Sequence, residues 1–223
     1  MLYKQLFVFD KKTKKPKNAI VRNYTTEDFD ELLSVQKEAF PPPFPSELWW
    51  NVKQIQNHVA YFPDGALCIE MDGKIVGSMT GLIVDIEDDR EEHTWEQITD
   101  NGYIRNHNNE GNTLYVVDIC VSPSYRSYGL GQVLMQSMYE VVIHMQLDRL
   151  LGGGRMPNYH KYAHVYSPQQ FVEGVVEGHI YDPVITFLLK SGRTPVHPVK
   201  DYLEDEESLN YGLLMEWKNP FKR

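Results

Sequence analysis

The residues predict a mixed α/β fold, and three features carry that expectation. An apolar run at Thr113–Val121 leads through a glycine-bearing turn into a long amphipathic segment, Gly129–Gln146. There Leu130, Val133, Leu134, Met138, Val141, Val142 and Met145 recur at helical spacing. Second, Asp72-Gly73 separates the apolar runs Ala66–Met71 and Lys74–Ile86, the signature of a tight hairpin. Third, Asp182-Pro183 and Ser191-Gly192 bracket a short helical stretch with a start signal and a stop signal.

The remaining elements follow in chain order. Tyr3–Phe9 and Ala19–Asn23 read as strands joined by the basic turn Lys11-Lys-Thr-Lys-Lys-Pro-Lys17, a solvated hairpin tip with enough charge to grip a phosphate. Thr25 or Thr26 caps a helix to about Phe40, which Pro41-Pro-Pro-Phe-Pro45 stops. Ser46 caps a second helix to about His58, carrying Trp49, Trp50 and Ile55. Glu87–Glu92 is a solvated acidic loop, and a short helix follows near Trp95–Thr99. Arg149–Gly153 is a strand running into Gly152-Gly-Gly154, Ser167 caps a helix at Pro168–Val176, and two strands near Thr194–Val199 and Tyr211–Trp217 close the chain. We expect a single domain over residues 1–223, with the first 23 as a hairpin extension.

Composition narrows the function classes. The chain has 223 residues, 42% hydrophobic and 24% charged, as in ordinary globular proteins. No apolar run reaches the roughly 20 residues of a membrane span, and the N-terminus has no signal-peptide pattern. Two cysteines, Cys68 and Cys120, do not make a disulfide framework, so the expected setting is reducing and cytoplasmic. A net charge of −9 argues against nucleic-acid binding, and its field favours a cationic substrate such as an amine.

The turn Arg126-Ser127-Tyr128-Gly129-Leu130-Gly131 is a candidate pyrophosphate site. Backbone N–H groups there converge at the positive end of a helix dipole, and glycine permits close approach. A Rossmann reading needs a different glycine spacing. The order strand, Arg126-x-x-Gly129-x-Gly131, long helix, strand, then a helix ending near Gly192 resembles the GNAT family of acyl-CoA N-acyltransferases, from about Ile20 to Trp217. Gly152–Ala163 and Tyr181–Phe187 also resemble GNAT domains fused to a carbon–nitrogen hydrolase domain.

That resemblance implies a central twisted sheet of six to seven strands, mixed but mostly antiparallel, with helices on both faces. It implies acetyl-CoA as co-substrate, its pyrophosphate on Arg126, Ser127, Tyr128, Gly129, Leu130 and Gly131, and its pantetheine arm beside Ile119, Cys120 and Val121. The implied reaction is acetyl transfer to a primary amine of a small molecule or an amino terminus, by direct attack. The alternative is a non-catalytic acyl-CoA-binding module that docks on a partner such as a carbon–nitrogen hydrolase. The two apolar C-terminal strands make a homodimer a candidate assembly.

Acyl transfer needs a base, oxyanion stabilisation and a protonated leaving thiolate. Asp118 interrupts an apolar strand and shares a face with Val116 and Cys120 by alternation, as a base or as a structural group bonded to backbone, Arg149 or Arg155. Where the resemblance implies a tyrosine as general acid, this chain has Leu188; Tyr159, His160 and Tyr162 are the replacements nearest in sequence. Arg155 is a candidate for binding a substrate carboxylate or pairing with Asp118. His160 and His164 lack an accompanying Glu in zinc-protease spacing, so no metal is expected.

Overall fold

A computed structural model describes residues 2–86 and 92–222, so the loop expected at Glu87–Glu92 lies outside the described residues apart from Glu92. Eight strands form one sheet: β1 (Tyr3–Phe9), β2 (Pro16–Asn23), β3 (Ala66–Met71), β4 (Lys74–Val84), β5 (Thr113–Val121), β6 (Arg149–Arg155), β7 (Thr194–Val199) and β8 (Gly212–Lys218). Their order is β1-β2-β3-β4-β5-β6-β8-β7. Among the described residues only β5 and β6 pair in parallel. The sheet is mixed and mostly antiparallel as expected. It reaches eight strands because both strands of the N-terminal hairpin join it.

The helices are α1 (Phe29–Ala39), α2 (Val52–Tyr61), α3 (Trp95–Thr99), α4 (Leu130–His144), α5 (Tyr159–Tyr162), α6 (Pro168–Val176) and α7 (Pro183–Lys190). Every residue of β4 from Ile75 to Val84 is buried. Side chains alternate across a strand, so both faces of β4 are covered. Both α1 and α4 pack on β4 and β5. Leu130, Leu134, Met138 and Val142 of α4 are fully buried or nearly so, as their spacing required. Burying each such side chain is worth about 1.5–3 kcal/mol. None of the helices, among the described residues, is long and apolar enough to cross a membrane.

Two local expectations change. The second helix begins at Val52, not at Ser46, because Asn51 and Gln54 form a reciprocal capping box. Ser46–Leu48 is a separate single turn. At the far edge of the sheet only β7 is exposed to further pairing, since β8 lies between β6 and β7. Pro195 and Pro198 within β7 remove two backbone donors, which blunts that edge.

The segment after β6 is positioned by Asp182. This fully buried carboxylate caps α7 through the N–H groups of Val184 and Ile185 and also holds the Asn158 N–H. Replacing it with alanine leaves those donors without an acceptor. We expect Asp182→Ala to lower stability by about 2 kcal/mol in urea denaturation, read as a lower midpoint at unchanged slope. A loss below about 0.5 kcal/mol would show that α7 is held by packing alone.

Candidate active site

The site begins where two strands part. β5 and β6 share three residue pairs, Thr113 with Arg149, Leu114 with Leu150 and Tyr115 with Leu151. Beyond Tyr115 the β6-facing backbone groups of β5 have no strand partner. The ladder with β4 pairs Thr80 with Asp118 and Gly81 with Val116, so Val117 is an extra residue. Such a bulge bends the strand and turns its side chains. The Val117 carbonyl accepts the Trp95 indole N–H at 2.9 Å, which ties down the bulge.

A cavity of about 180 Å³ fills the opening. Val116, Val117, Asp118 and Ile119 line it from β5, and Gly153, Gly154 and Arg155 from β6. Phe40, Phe44, Leu48 and Trp50 close one side; Val184, Phe187 and Leu188 of α7 close another. Phe44 of the Pro41–Pro45 segment and Trp50 thus form part of the cavity wall. Leu188, the position where the resemblance implies a tyrosine, lines it too.

Asp118 is the distinctive group here. Its Oδ2 is buried and makes no hydrogen bond. Burial pushes its carboxyl up to about 7, partly offset by hydrogen bonds from the Cys120 side chain and the Ile119 backbone. Arg149 is engaged with Glu216 and Thr113, and Arg155 forks onto Asp205 at 2.6 and 2.8 Å and reaches Glu207 at 3.0 Å. Neither arginine is bonded to Asp118, so the pairing expected for Arg155 is not made. Cys120 faces Ser78 Oγ at 3.3 Å, and burial raises its thiol well above the usual range, which keeps it inert.

The structure does not bring Tyr159 and His160 to Asp118. Tyr159 is buried against Phe171 and Tyr211, its hydroxyl donating to the Tyr166 carbonyl. His160 Nδ1 meets the Glu207 carbonyl at 2.9 Å on the surface. β6 extends to Arg155, and in the turn and helix beyond it neither residue lines the cavity.

Among the cavity residues that sequence reading missed are Tyr202 and Arg193. Tyr202 is buried, and its hydroxyl bonds that of Tyr115 at 2.8 Å, which bonds His93 Nε2 at 2.8 Å. Burial pushes the Tyr202 phenol up to about 12. Arg193 is buried with its Nη2 on the carbonyls of Gly152 and Met215, while its Nε has no partner. Burial pulls its pKa down to about 10, which leaves it charged at neutral pH. A signal for Tyr202 exists: a Cβ on Gly153 or on Gly212 would collide with its ring. It is readable only once the strands are in place.

The loop after β5 forms as a tight helical turn, Pro123–Tyr128, followed by Gly129 at φ +73°. That backbone favours glycine. Leu130 and Gly131 open α4, where the first N–H groups have no intrahelical acceptor. A Cβ on Gly131 would press on the Phe187 ring at 3.0 Å. The Arg126 guanidinium folds onto the Val121 and Ala39 carbonyls at 3.3 and 3.4 Å. Loop, strand opening and cavity together have room for an extended ligand that ends in an anionic group at the N-terminus of α4.

Comparison with known proteins agrees with this geometry. The sequence profile of the GNAT acetyltransferase family matches residues 29–166. The chain is 55% identical to an uncharacterized N-acetyltransferase, YkwB, of Bacillus subtilis (strain 168), over 99% of this chain and 97% of that protein. It is 36% identical to a probable hydrolase, YhcX, of the same organism, over 93% of this chain but 40% of that longer protein. Among solved structures, the GphF GNAT-like decarboxylase in complex with isobutyryl-CoA superposes with a TM-score of 0.71 at 19% identity, covering 89% of this chain and 98% of that one. That last likeness is one of fold. With the family profile spanning more than half of the sequence and a relative aligned almost end to end, the chain belongs to the GNAT acetyltransferase family.

Proposed function

We propose that this acyltransferase moves an acetyl group from acetyl-CoA to a primary amine by direct attack. The observation that carries the reading is Asp118: a half-buried carboxylate lining the cavity at the β5–β6 opening, with one oxygen, Oδ2, buried and without a hydrogen-bond partner. The pyrophosphate is assigned to the Arg126–Gly131 turn, with Ser127, Tyr128 and Leu130 contributing backbone groups, and the pantetheine arm to the open edge of β5 at Ile119, Cys120 and Val121.

In the proposed reaction Asp118 takes a proton from the amine. Nitrogen then forms a bond to the thioester carbonyl carbon, the C–S bond breaks, and the thiolate takes a proton. Tyr202 is our assignment for that donor: it lines the cavity, and a phenol near 12 stays protonated at neutral pH. Arg155 is neutralised by Asp205 and Glu207, so Arg193, with its unpartnered Nε, is the better candidate for an anionic group on the acceptor. A cytoplasmic setting fits two buried, free cysteines.

One observation favours a second reading, an acyl-CoA-binding module without turnover: Leu188 occupies the cavity wall where the resemblance places a tyrosine. Coenzyme A release with a panel of amines separates the two.

Three outcomes are expected. The parent should show a rise of kcat/KM through pH about 7, and Asp118→Asn should remove it and lower kcat by about 100-fold, with acetyl-CoA affinity unchanged. Unaltered activity and profile would rule Asp118 out as the base. The same pair tests burial without chemistry. The native carboxyl holds its proton up to about 7 while the unfolded one releases it near 3.8, so Asp118 costs stability as pH rises between those values. Asp118→Asn should therefore gain stability relative to the parent at pH 8 and not at pH 4. Gly131→Trp should abolish acetyl-CoA binding in calorimetry; unchanged affinity would remove the turn from the ligand site.

A further inference from the structure

We propose that the β1–β2 hairpin tip is a second phosphate site, one that binds the 3′-phosphate of the CoA whose pyrophosphate lies on the Arg126–Gly131 turn; it rests on that cofactor reading. The tip is docked onto the turn itself. The Lys11 N–H donates to the Ser127 carbonyl at 3.1 Å, and the Ser127 hydroxyl donates to Asp10 Oδ2 at 2.9 Å. Asp10 also accepts the N–H groups of Lys12 and Thr13 at 2.8 and 2.7 Å. The carboxylate is therefore spent on holding the tip in shape.

Four lysines crown this docked tip. Lys11, Lys12, Lys14 and Lys15 are exposed and make no ion pair among the described residues, whereas Lys17 is paired with Asp72 at 2.9 Å. In a chain of net charge −9, this is a local positive patch set against the global field. It sits beside the loop to which the pyrophosphate is assigned, and that loop has little free cationic charge of its own. Arg126 is turned onto carbonyls. With the pantetheine arm running into the cavity, the adenosine end of CoA leaves the turn at the surface, carrying a further phosphate. A dianion there meets lysines on a backbone already ordered, so binding orders side chains alone.

The test uses calorimetry with acetyl-CoA and acetyl-dephospho-CoA, on the parent and on the variant K11Q/K12Q/K14Q/K15Q. All four changes lie at exposed positions, and a thermal melt confirms folding. We expect the parent to prefer acetyl-CoA by about tenfold, a preference that weakens as salt is raised. The variant should lose that preference while binding acetyl-dephospho-CoA as the parent does. A preference that survives in the variant overturns the proposal. So does an equal loss for both ligands, which would place the lysines on the pyrophosphate instead. If the parent binds neither ligand, the cofactor reading itself fails, and the two failures are thereby distinct.

Discussion

Everything proposed for this molecule depends on the early parting of β5 from β6. A parallel pair normally continues for the length of the shorter strand; here it ends after Tyr115 and Leu151. The causes are local. Val117 is an extra residue in the ladder to β4, and its carbonyl is taken by the Trp95 indole. On the facing strand, Gly152, Gly153 and Gly154 carry no side chains, and Val116, Tyr202 and Leu188 occupy the space their Cβ atoms would need. The result is an unpaired strand edge beside a cavity. An unpaired edge in a protein interior is costly, which makes it a natural seat for an extended ligand with amide groups of its own.

The polar groups at the cavity divide by whether they are spent. Arg149 and Arg155 are neutralised by carboxylates, and Asp182 is consumed as a helix cap and loop anchor. Asp118 and Arg193 each keep a buried atom without a partner. Leaving such atoms unmatched costs about 1–3 kcal/mol apiece. In the proposed reaction a ligand would complete the bonding of Asp118 and Arg193, both of which line the cavity.

Much of the fold was legible because the signals were local. The Asp72-Gly73 turn, the Asp182-Pro183 cap and the spacing of α4 each lie within a few residues of what they specify. The Arg126–Gly131 turn was legible for the same reason, as was Asp118 as a polar break in an apolar strand. Ser46 was misleading as a cap because Asn51, five residues on, competes for the same role with a partner at Gln54. Tyr159 and His160 followed the strand closely in sequence but lie beyond its end in space. Tyr202 and Arg193 reach the cavity through the order β6-β8-β7, a non-local fact that no short window contains. The docking of the hairpin tip on Ser127 spans more than a hundred residues and was equally invisible.

The most direct measurement is a crystal structure of the protein with acetyl-CoA. The account predicts the pantetheine arm along β5 at Ile119–Val121, the pyrophosphate against the N-terminus of α4, and the thioester facing the Asp118 carboxylate. A ligand seated elsewhere, with the β5–β6 opening filled by protein side chains, would contradict it.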